Sequence, residues 1–216
     1  MDKNMIDLYT WPTPNGRKIS IMLEETGINY TVFPINIGKD DQFQPNFLKI
    51  SPNNKIPAIV DKENDNYSLF ESGAILMYLA DKSGMLINKS NTDEYFRTIE
   101  WVMWQMGGVG PMFGQVHHFV KYNKGKSNYA EERYSKEANR LYKVMDDRLG
   151  KHQYISGDKY SIADISIWPW TARFDWQEID INDYPNVSRW YKEMVDRPAV
   201  QKGWQVPQNE QVIPMP

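Results

Sequence analysis

The apolar positions of the first eighty residues change period several times. Met5–Trp11 is a β-rich run that Pro12, Pro14 and Gly16 bring to an end. Ile19, Met22, Leu23 and Thr26 then fall at i, i+3, i+4 and i+7, one face of a helix, and Gly27 follows as a C-cap. Tyr30–Pro34 predicts a second strand, Gly38–Gln44 a polar loop and Pro45–Ile50 a short helix. Ser51-Pro52-Asn53-Asn54 is turn chemistry. Ala58–Val60 and Tyr67–Phe70 predict third and fourth strands joined by a hairpin turn at Asn64-Asp65-Asn66. Ser72 is placed to cap a helix carrying Ala74, Ile75, Tyr78 and Leu79. The order βαβ, α, ββα requires a parallel strand pair with a crossover helix and an antiparallel edge.

Beyond a polar stretch over residues 84–92 the period is helical throughout. Phe96, Ile99, Met103 and Met106 predict one buried stripe, and Tyr134, Ala138, Leu141, Met145 and Leu149 another. Ser161-x-x-Asp164 resembles a capping box at the start of a third helix. A fourth carries Val187, Trp190, Tyr191 and Met194, and Pro198 is expected to end it. The chain therefore divides into an α/β domain over residues 1–83, a linker over 84–92 and an all-α bundle over 93–216, with a loose tail from about residue 205.

Composition narrows the function classes. With 41% hydrophobic and 13% aromatic residues the 216-residue chain can bury a core, so it is not disordered by composition. A net charge of −3 without a basic block argues against nucleic acid as a partner. The N-terminus lacks the apolar core of a signal peptide and no stretch of 18 apolar residues occurs, so a protein of the cytoplasm with no membrane partner is expected. There are no cysteines. Any thiol chemistry must therefore use a sulfur that arrives on a ligand. His117 and His118 are adjacent and point to different helix faces, so no metal is expected.

Three motifs carry a resemblance. Asn53-Asn54-Lys55-Ile56-Pro57-Ala58-Ile59-Val60-Asp61, Leu69-Phe70-Glu71-Ser72-Gly73-Ala74-Ile75 and Ser161-Ile162-Ala163-Asp164 resemble segments of the cytosolic glutathione transferases, at compatible spacing and over nearly the whole chain. Tyr9-Thr10-Trp11-Pro12-Thr13-Pro14-Asn15-Gly16 and Gly107-Gly108-Val109-Gly110-Pro111-Met112 are similar to the bacterial nu class, whose members act mainly as glutathione-dependent disulfide-bond reductases. The resemblance implies an α/β thioredoxin-like domain (βαβαββα) followed by an all-α bundle, a homodimer, and glutathione as co-substrate beside a disulfide or an electrophilic small molecule. Many other classes place Tyr, Ser or Cys where this chain has Thr13 and Asn15.

The chemistry asked of these residues is specific. Glu71 and Ser72 can answer the ammonium and carboxylate of a γ-glutamyl group, with the backbone N–H groups of the helix start assisting; an ordinary capped helix start reads the same way. The resemblance implies a cis Pro57 and an Ile56 backbone that pairs with the extended cysteinyl part. It carries over Gln42 and Lys55 as contacts near the glycyl end, and Arg133 as a residue that reaches a glutathione carboxylate. A thiol of pKa about 8.5 is mostly neutral at pH 7, and lowering that value by two units takes about 2.7 kcal/mol. One or two hydrogen bonds to the thiolate, at roughly 1.5–3 kcal/mol each, suffice. Thr13 Oγ1 and Asn15 Nδ2, just before the first helix, are the candidate catalytic donors, holding sulfur without removing its proton. Thr-Pro-Asn-Gly is also ordinary turn and N-cap chemistry. Conventional conjugation of electrophiles and a non-catalytic glutathione-binding module remain the alternatives. Gly107, Gly108 and Gly110 either open the site for two tripeptides or let helices pack and bend. Tyr9 and the tryptophans at 101, 104, 168, 170 and 190 read first as core residues.

Overall fold

The computed structural model describes residues 5–208 and 212–216, so part of the stretch expected to form a loose tail lies outside the described residues. The chain divides into two compact units, one of residues up to Met85 together with Arg197–Val212, the other of Leu86–Asp196 with Ile213–Pro216. Arg197–Val212, which the sequence pattern grouped with the helical half, thus belongs with the first unit.

The first unit is built on a four-stranded mixed sheet of β1 (Ile6–Thr10), β2 (Tyr30–Pro34), β3 (Ala58–Asp61) and β4 (Tyr67–Phe70) in the order β2-β1-β3-β4. β1 runs parallel to β2 through the helix α1 (Pro14–Thr26), while β3 is antiparallel to both β1 and β4. This is the thioredoxin-like βαβαββα arrangement. Gly27 closes α1 in the left-handed conformation at φ 66°. The β3–β4 hairpin turns on Asp65 and Asn66, both at positive φ, with the Tyr67 amide donating to the Asn64 carbonyl at 2.7 Å, the geometry that matches sheet twist. The loop after β2 is not featureless. It forms two single 3₁₀ turns, Ile37–Lys39 and Asp41–Phe43, before α2 (Pro45–Leu48).

The helix α3 (Ser72–Ser83) begins one residue earlier than a serine cap allows. Ser72 is its first residue. The cap position falls to Glu71, at φ 71° and ψ 111° with no side-chain capping bond. That backbone conformation costs an L residue on the order of 1–3 kcal/mol and is characteristic of functional sites.

A further helix, α9 (Pro198–Trp204), lies on α1 within the first unit. Pro198 therefore opens a helix, at a position where a missing N–H costs nothing. Ser20 Oγ donates to the Gly203 carbonyl at 2.6 Å, Arg17 lays its guanidinium 3.4 Å from the Trp204 ring centroid, and Arg197 grips Glu25 with two bonds of 2.7 and 2.8 Å.

The second unit holds α4 (Thr92–Trp104), α5 (Gly110–Val116), α6 (Asn128–Leu149), α7 (Ile162–Thr171) and α8 (Pro185–Val195). Widened π-type turns at Gln105–Val109 and His117–Tyr122 flank α5. Pro111 cannot donate a backbone bond, and such a turn is one way a helix absorbs that. Ala138, Leu141, Met145 and Leu149 are buried, as are Val187, Trp190, Tyr191 and Met194. The stripe expected on α4 is not. Phe96 and Met103 are 61% and 50% exposed, and the buried face runs instead through Thr98, Val102, Gln105 and Val109. α4 carries large apolar groups on more than one face, so periodicity alone could not orient it. Among the described residues no helix is long and apolar enough to cross a membrane.

The capping box forms. Asp164 is fully buried and accepts from the Ser161 amide (3.0 Å) and hydroxyl (3.2 Å), the Ile155 amide (2.9 Å) and the Trp190 indole (2.9 Å). Burial nonetheless pushes its pKa up to about 6. Asp164→Ala should lower the urea midpoint much more than Ser161→Ala does. It strands several buried donors at roughly 1–3 kcal/mol each, whereas losing the serine cap costs about 1 kcal/mol. Equal losses for the two variants would refute this reading of the carboxylate.

Candidate functional site

Strand register brings the predicted residues of the first unit together. Ala58, the first residue of β3, lies opposite Tyr9 of β1 and Phe70 of β4. The chain leaving β1, the chain entering β3 and the chain leaving β4 therefore share one end of the sheet. That end receives Thr13 and Asn15 at the mouth of α1, Ile56 and Pro57 ahead of β3, and Glu71 and Ser72 at the mouth of α3. β2 runs parallel to β1, so the loop holding Gln42 also leaves from this end.

Each group is held locally. Thr13 is the N-cap of α1, its Oγ1 accepting from the Gly16 amide at 3.2 Å. A hydroxyl that accepts in this way keeps its own proton for donation. Asn15 sits half-buried in the first turn. Gly16 is required sterically, because a Cβ there would stand 2.2 Å from the Trp11 carbonyl oxygen and 2.5 Å from Thr10 Oγ1. The Ile56–Pro57 bond is cis. Among the described residues the Ile56 backbone amide and carbonyl make no hydrogen bond, which leaves a short edge for an extended ligand. Lys55 is exposed and its carbonyl accepts from Ser51 Oγ at 2.8 Å. Gln42 makes a long 3.5 Å contact to Asp40. Glu71 is exposed, whereas Ser72 is buried.

Sequence reasoning passed over Lys18. It is fully buried in α1 and donates to Ser72 Oγ at 3.1 Å. Burial lowers its pKa to about 7, with Glu71 opposing that shift. A lysine inside an amphipathic helix pattern reads as surface, and the signal that separates it is available only once α1 and α3 are seen to pack together. Tyr9 stacks on Phe33 with ring centroids 4.9 Å apart, a packing role.

Arg133 belongs to the second unit. It is exposed on α6 and lines a groove of about 730 Å³ with Met112, Tyr129, Tyr134, Lys136 and Arg140. In the same unit His117 is buried, and burial and Arg173 push its pKa down to about 4. It accepts from the Gln177 amide at 3.2 Å, while Tyr142 donates to the Gln177 carbonyl oxygen at 2.7 Å. Added Cβ atoms at Gly107 and Gly108 would meet nothing within 4 Å, but one at Gly110 would lie 2.6 Å from the Gln105 amide. Gly110 is thus a packing residue and the other two face open space. Among the described residues no group of three or more His, Asp or Glu side chains is arranged to hold a metal ion.

Comparison with known proteins decides the family. Residues 5–81 match the model of the glutathione S-transferase N-terminal domain, and residues 109–198 that of the C-terminal domain. The chain belongs to the glutathione S-transferase family. It is 49% identical to the disulfide-bond oxidoreductase YfcG of Escherichia coli, over 90% of this chain and 92% of that one. Among solved structures of the family, it is similar to a glutathione transferase family member from Pseudomonas fluorescens with two glutathione bound. That match has a TM-score of 0.90 and 45% identity, and covers 94% of each chain. It is also similar to a glutathione transferase from Pseudomonas putida with one glutathione disulfide bound per subunit, with a TM-score of 0.88, 42% identity, and 94% and 92% of the two chains covered.

Two outcomes follow from the site's packing. Gly16→Ala should cost roughly 1–3 kcal/mol in denaturant unfolding, and wild-type stability in that variant would contradict the close approach to Trp11. A lysine held near pKa 7 in the folded chain and about 10.4 when unfolded binds fewer protons folded than unfolded between those values. Folding stability should therefore rise with pH from about 7 to 9 in wild type relative to Lys18→Met, as followed by urea titrations at several pH values. A difference that does not change with pH would contradict it.

Proposed function

We propose that this glutathione S-transferase is a nu-class, glutathione-dependent disulfide-bond reductase. The observation that carries the reading is the convergence, at one end of the sheet, of the α1 mouth, the Ile56 edge and the α3 mouth in a chain with no cysteine of its own. Its similarity to the E. coli disulfide-bond oxidoreductase and to structures holding two glutathiones or one glutathione disulfide supports it.

In this reading glutathione lies extended along Ile56 as an added strand. Its γ-glutamyl carboxylate meets Ser72 and the first amides of α3, and its ammonium meets Glu71. Gln42 and Lys55 serve the glycyl end, and Arg133 a carboxylate. Thr13 and Asn15 donate to the sulfur at the positive end of α1, favouring thiolate. The bound thiolate attacks one sulfur of a disulfide. The S–S bond breaks, a glutathionyl mixed disulfide forms, and the released thiolate takes a proton. A second glutathione, as thiolate, attacks the glutathionyl sulfur, releasing the other substrate thiol and leaving glutathione disulfide. Two glutathiones are oxidised for each disulfide reduced, in keeping with neighbours that hold two tripeptides or their disulfide.

The chain works in the cytoplasm in this reading, where glutathione is kept reduced. It does so as a homodimer, with the exposed apolar side chains Phe96 and Met103 of α4 as part of the covered face.

A small disulfide, glutathione, NADPH and glutathione reductase form the test. NADPH should be consumed in proportion to enzyme. Thr13→Ala and Asn15→Ala should each lower kcat/KM by about tenfold or more, the equivalent of one lost donor at about 1.4 kcal/mol. Glutathione binding without NADPH consumption, or aryl-halide conjugation that outruns disulfide turnover, would overturn the proposal.

A further inference from the structure

We propose that the second unit carries a binding site for a small organic carboxylate, with the guanidinium of Arg148 as its anchor. Every wall of this site lies in the second unit, so it draws on none of the groups that the first unit offers to glutathione.

A cleft of about 1010 Å³ lies between the segment leading into α4, the first turns of α4, the end of α6 and the loop before α7. Its size suits a small organic ligand. Arg148, in the last turn of α6, is half-buried on one wall. Trp101 stands behind it, with the guanidinium carbon 5.4 Å from the ring centroid. Nε donates to the Ile155 carbonyl and Nη2 to the Ser156 carbonyl, both at 2.9 Å. A guanidinium has five N–H donors, so these bonds leave both on Nη1 and one on Nη2. One from each terminal nitrogen, side by side, match the two oxygens of a carboxylate. The two carbonyls and the indole already hold the fork in place, so little side-chain freedom remains to be lost when a ligand arrives.

The other charges of the cleft are largely spoken for. Arg97 pairs with Glu100, and Lys159 Nζ lies 3.6 Å from Glu94. His152 sits 3.7 Å from Asp158. Asp93 is exposed in the first turn of α4, where the helix dipole accommodates it. Among the described residues of the cleft, Arg148 is thus the arginine or lysine left without a carboxylate partner. Burial, and after it the like charge of Arg97, lowers its pKa from the ordinary guanidinium value, with Glu100 and Asp158 opposing. A bound carboxylate offsets both effects, because it gives the half-buried guanidinium a charged partner and shields it from Arg97. The carboxylates already on these walls disfavour a dianion, so a single negative charge fits and a phosphate does not. Leu86 and Ile87, both half-buried, line the same cleft and suit an apolar body. Phe96 borders it too, but belongs to the face that a homodimer would cover, so Leu86 and Ile87 are the apolar walls.

The test is an NMR titration of the full chain with phenylacetate and with phenylacetamide, its neutral counterpart of the same shape, in the presence of saturating S-methylglutathione. The Trp101 indole N–H signal, assigned by its loss in Trp101→Phe, reports on the wall behind Arg148. In wild type, phenylacetate should shift that signal saturably, with a Kd about tenfold or more below that of the amide, as a charge-assisted hydrogen bond supplies. Arg148→Met should remove the preference for the acid. Arg97→Gln changes an exposed side chain and leaves the Arg148 fork in place. It should weaken the acid by about threefold through the lost charge and leave the amide unchanged, and it serves as the second variant should Arg148→Met not fold. Equal binding of acid and amide, a Trp101 signal that does not respond, or a preference that survives intact in either arginine variant overturns the proposal. A dimer that dissociates in Arg148→Met assigns the guanidinium to a second copy of the chain and overturns it as well.

Discussion

Ala58 pairs at once with Tyr9 and Phe70, and the candidate site follows from that register. Two antiparallel pairings in succession fold the ends of β1 and β4 and the start of β3 onto one edge, where two helix mouths open side by side. A slip of one residue would turn every side chain of β3 to the opposite face. It would also carry the Ile56 backbone out of line with Thr13 and Ser72. The connection from β2 to β3 that supplies Gln42, Lys55 and Ile56 turns on Asp40 and Asn54 at positive φ, as the α3 mouth turns on Glu71. The site is assembled from unsatisfied backbone groups that the fold leaves at its edge in any case.

Sulfur chemistry by a chain lacking cysteine asks for a place that holds an anion without supplying a base. In the proposed reading the α1 mouth meets that requirement with the neutral hydroxyl of Thr13 and the neutral amide of Asn15. A cation at the sulfur would bind thiolate tightly and blunt its attack, because nucleophilicity falls as thiol pKa falls. In that reading modest donors favour the thiolate and leave it reactive.

Much of this was legible in the residues. Strands β2 and β4 fall where Tyr30–Pro34 and Tyr67–Phe70 predicted them, because Gly27 and Pro34 bracket the first and Asn64-Asp65-Asn66 marks the start of the second. The capping box at Ser161 and Asp164 was legible for the same reason, since its partners are local. What escaped depended on long-range packing. The outward-facing stripe of α4 could not be told from its inward one. Pro198 looks the same ending one helix as starting another. Lys18 belongs to a pattern that reads as solvated until α3 covers it. The serine at position 72 was visible, but its place as first helical residue rather than cap goes with the backbone angle at Glu71, and its bond to Lys18 spans 54 positions of chain. The site residues themselves were chosen by resemblance. Composition and period alone left each of them an ordinary turn or surface group.

The α1–α9 contact has a temporal meaning. Gly203 comes so close to Ile21 that a Cβ would sit 2.6 Å from its backbone, and Arg17 closes on Trp204 across 187 residues of chain. The first unit therefore holds a layer that leaves the ribosome only after residues Leu86–Asp196 of the second unit have been made. Until then the outer surface of α1, with a buried guanidinium and an apolar strip, stands open to water. The first unit begins first in translation and gains α9 only late, so a nascent chain carries an incomplete thioredoxin-like unit for most of its synthesis.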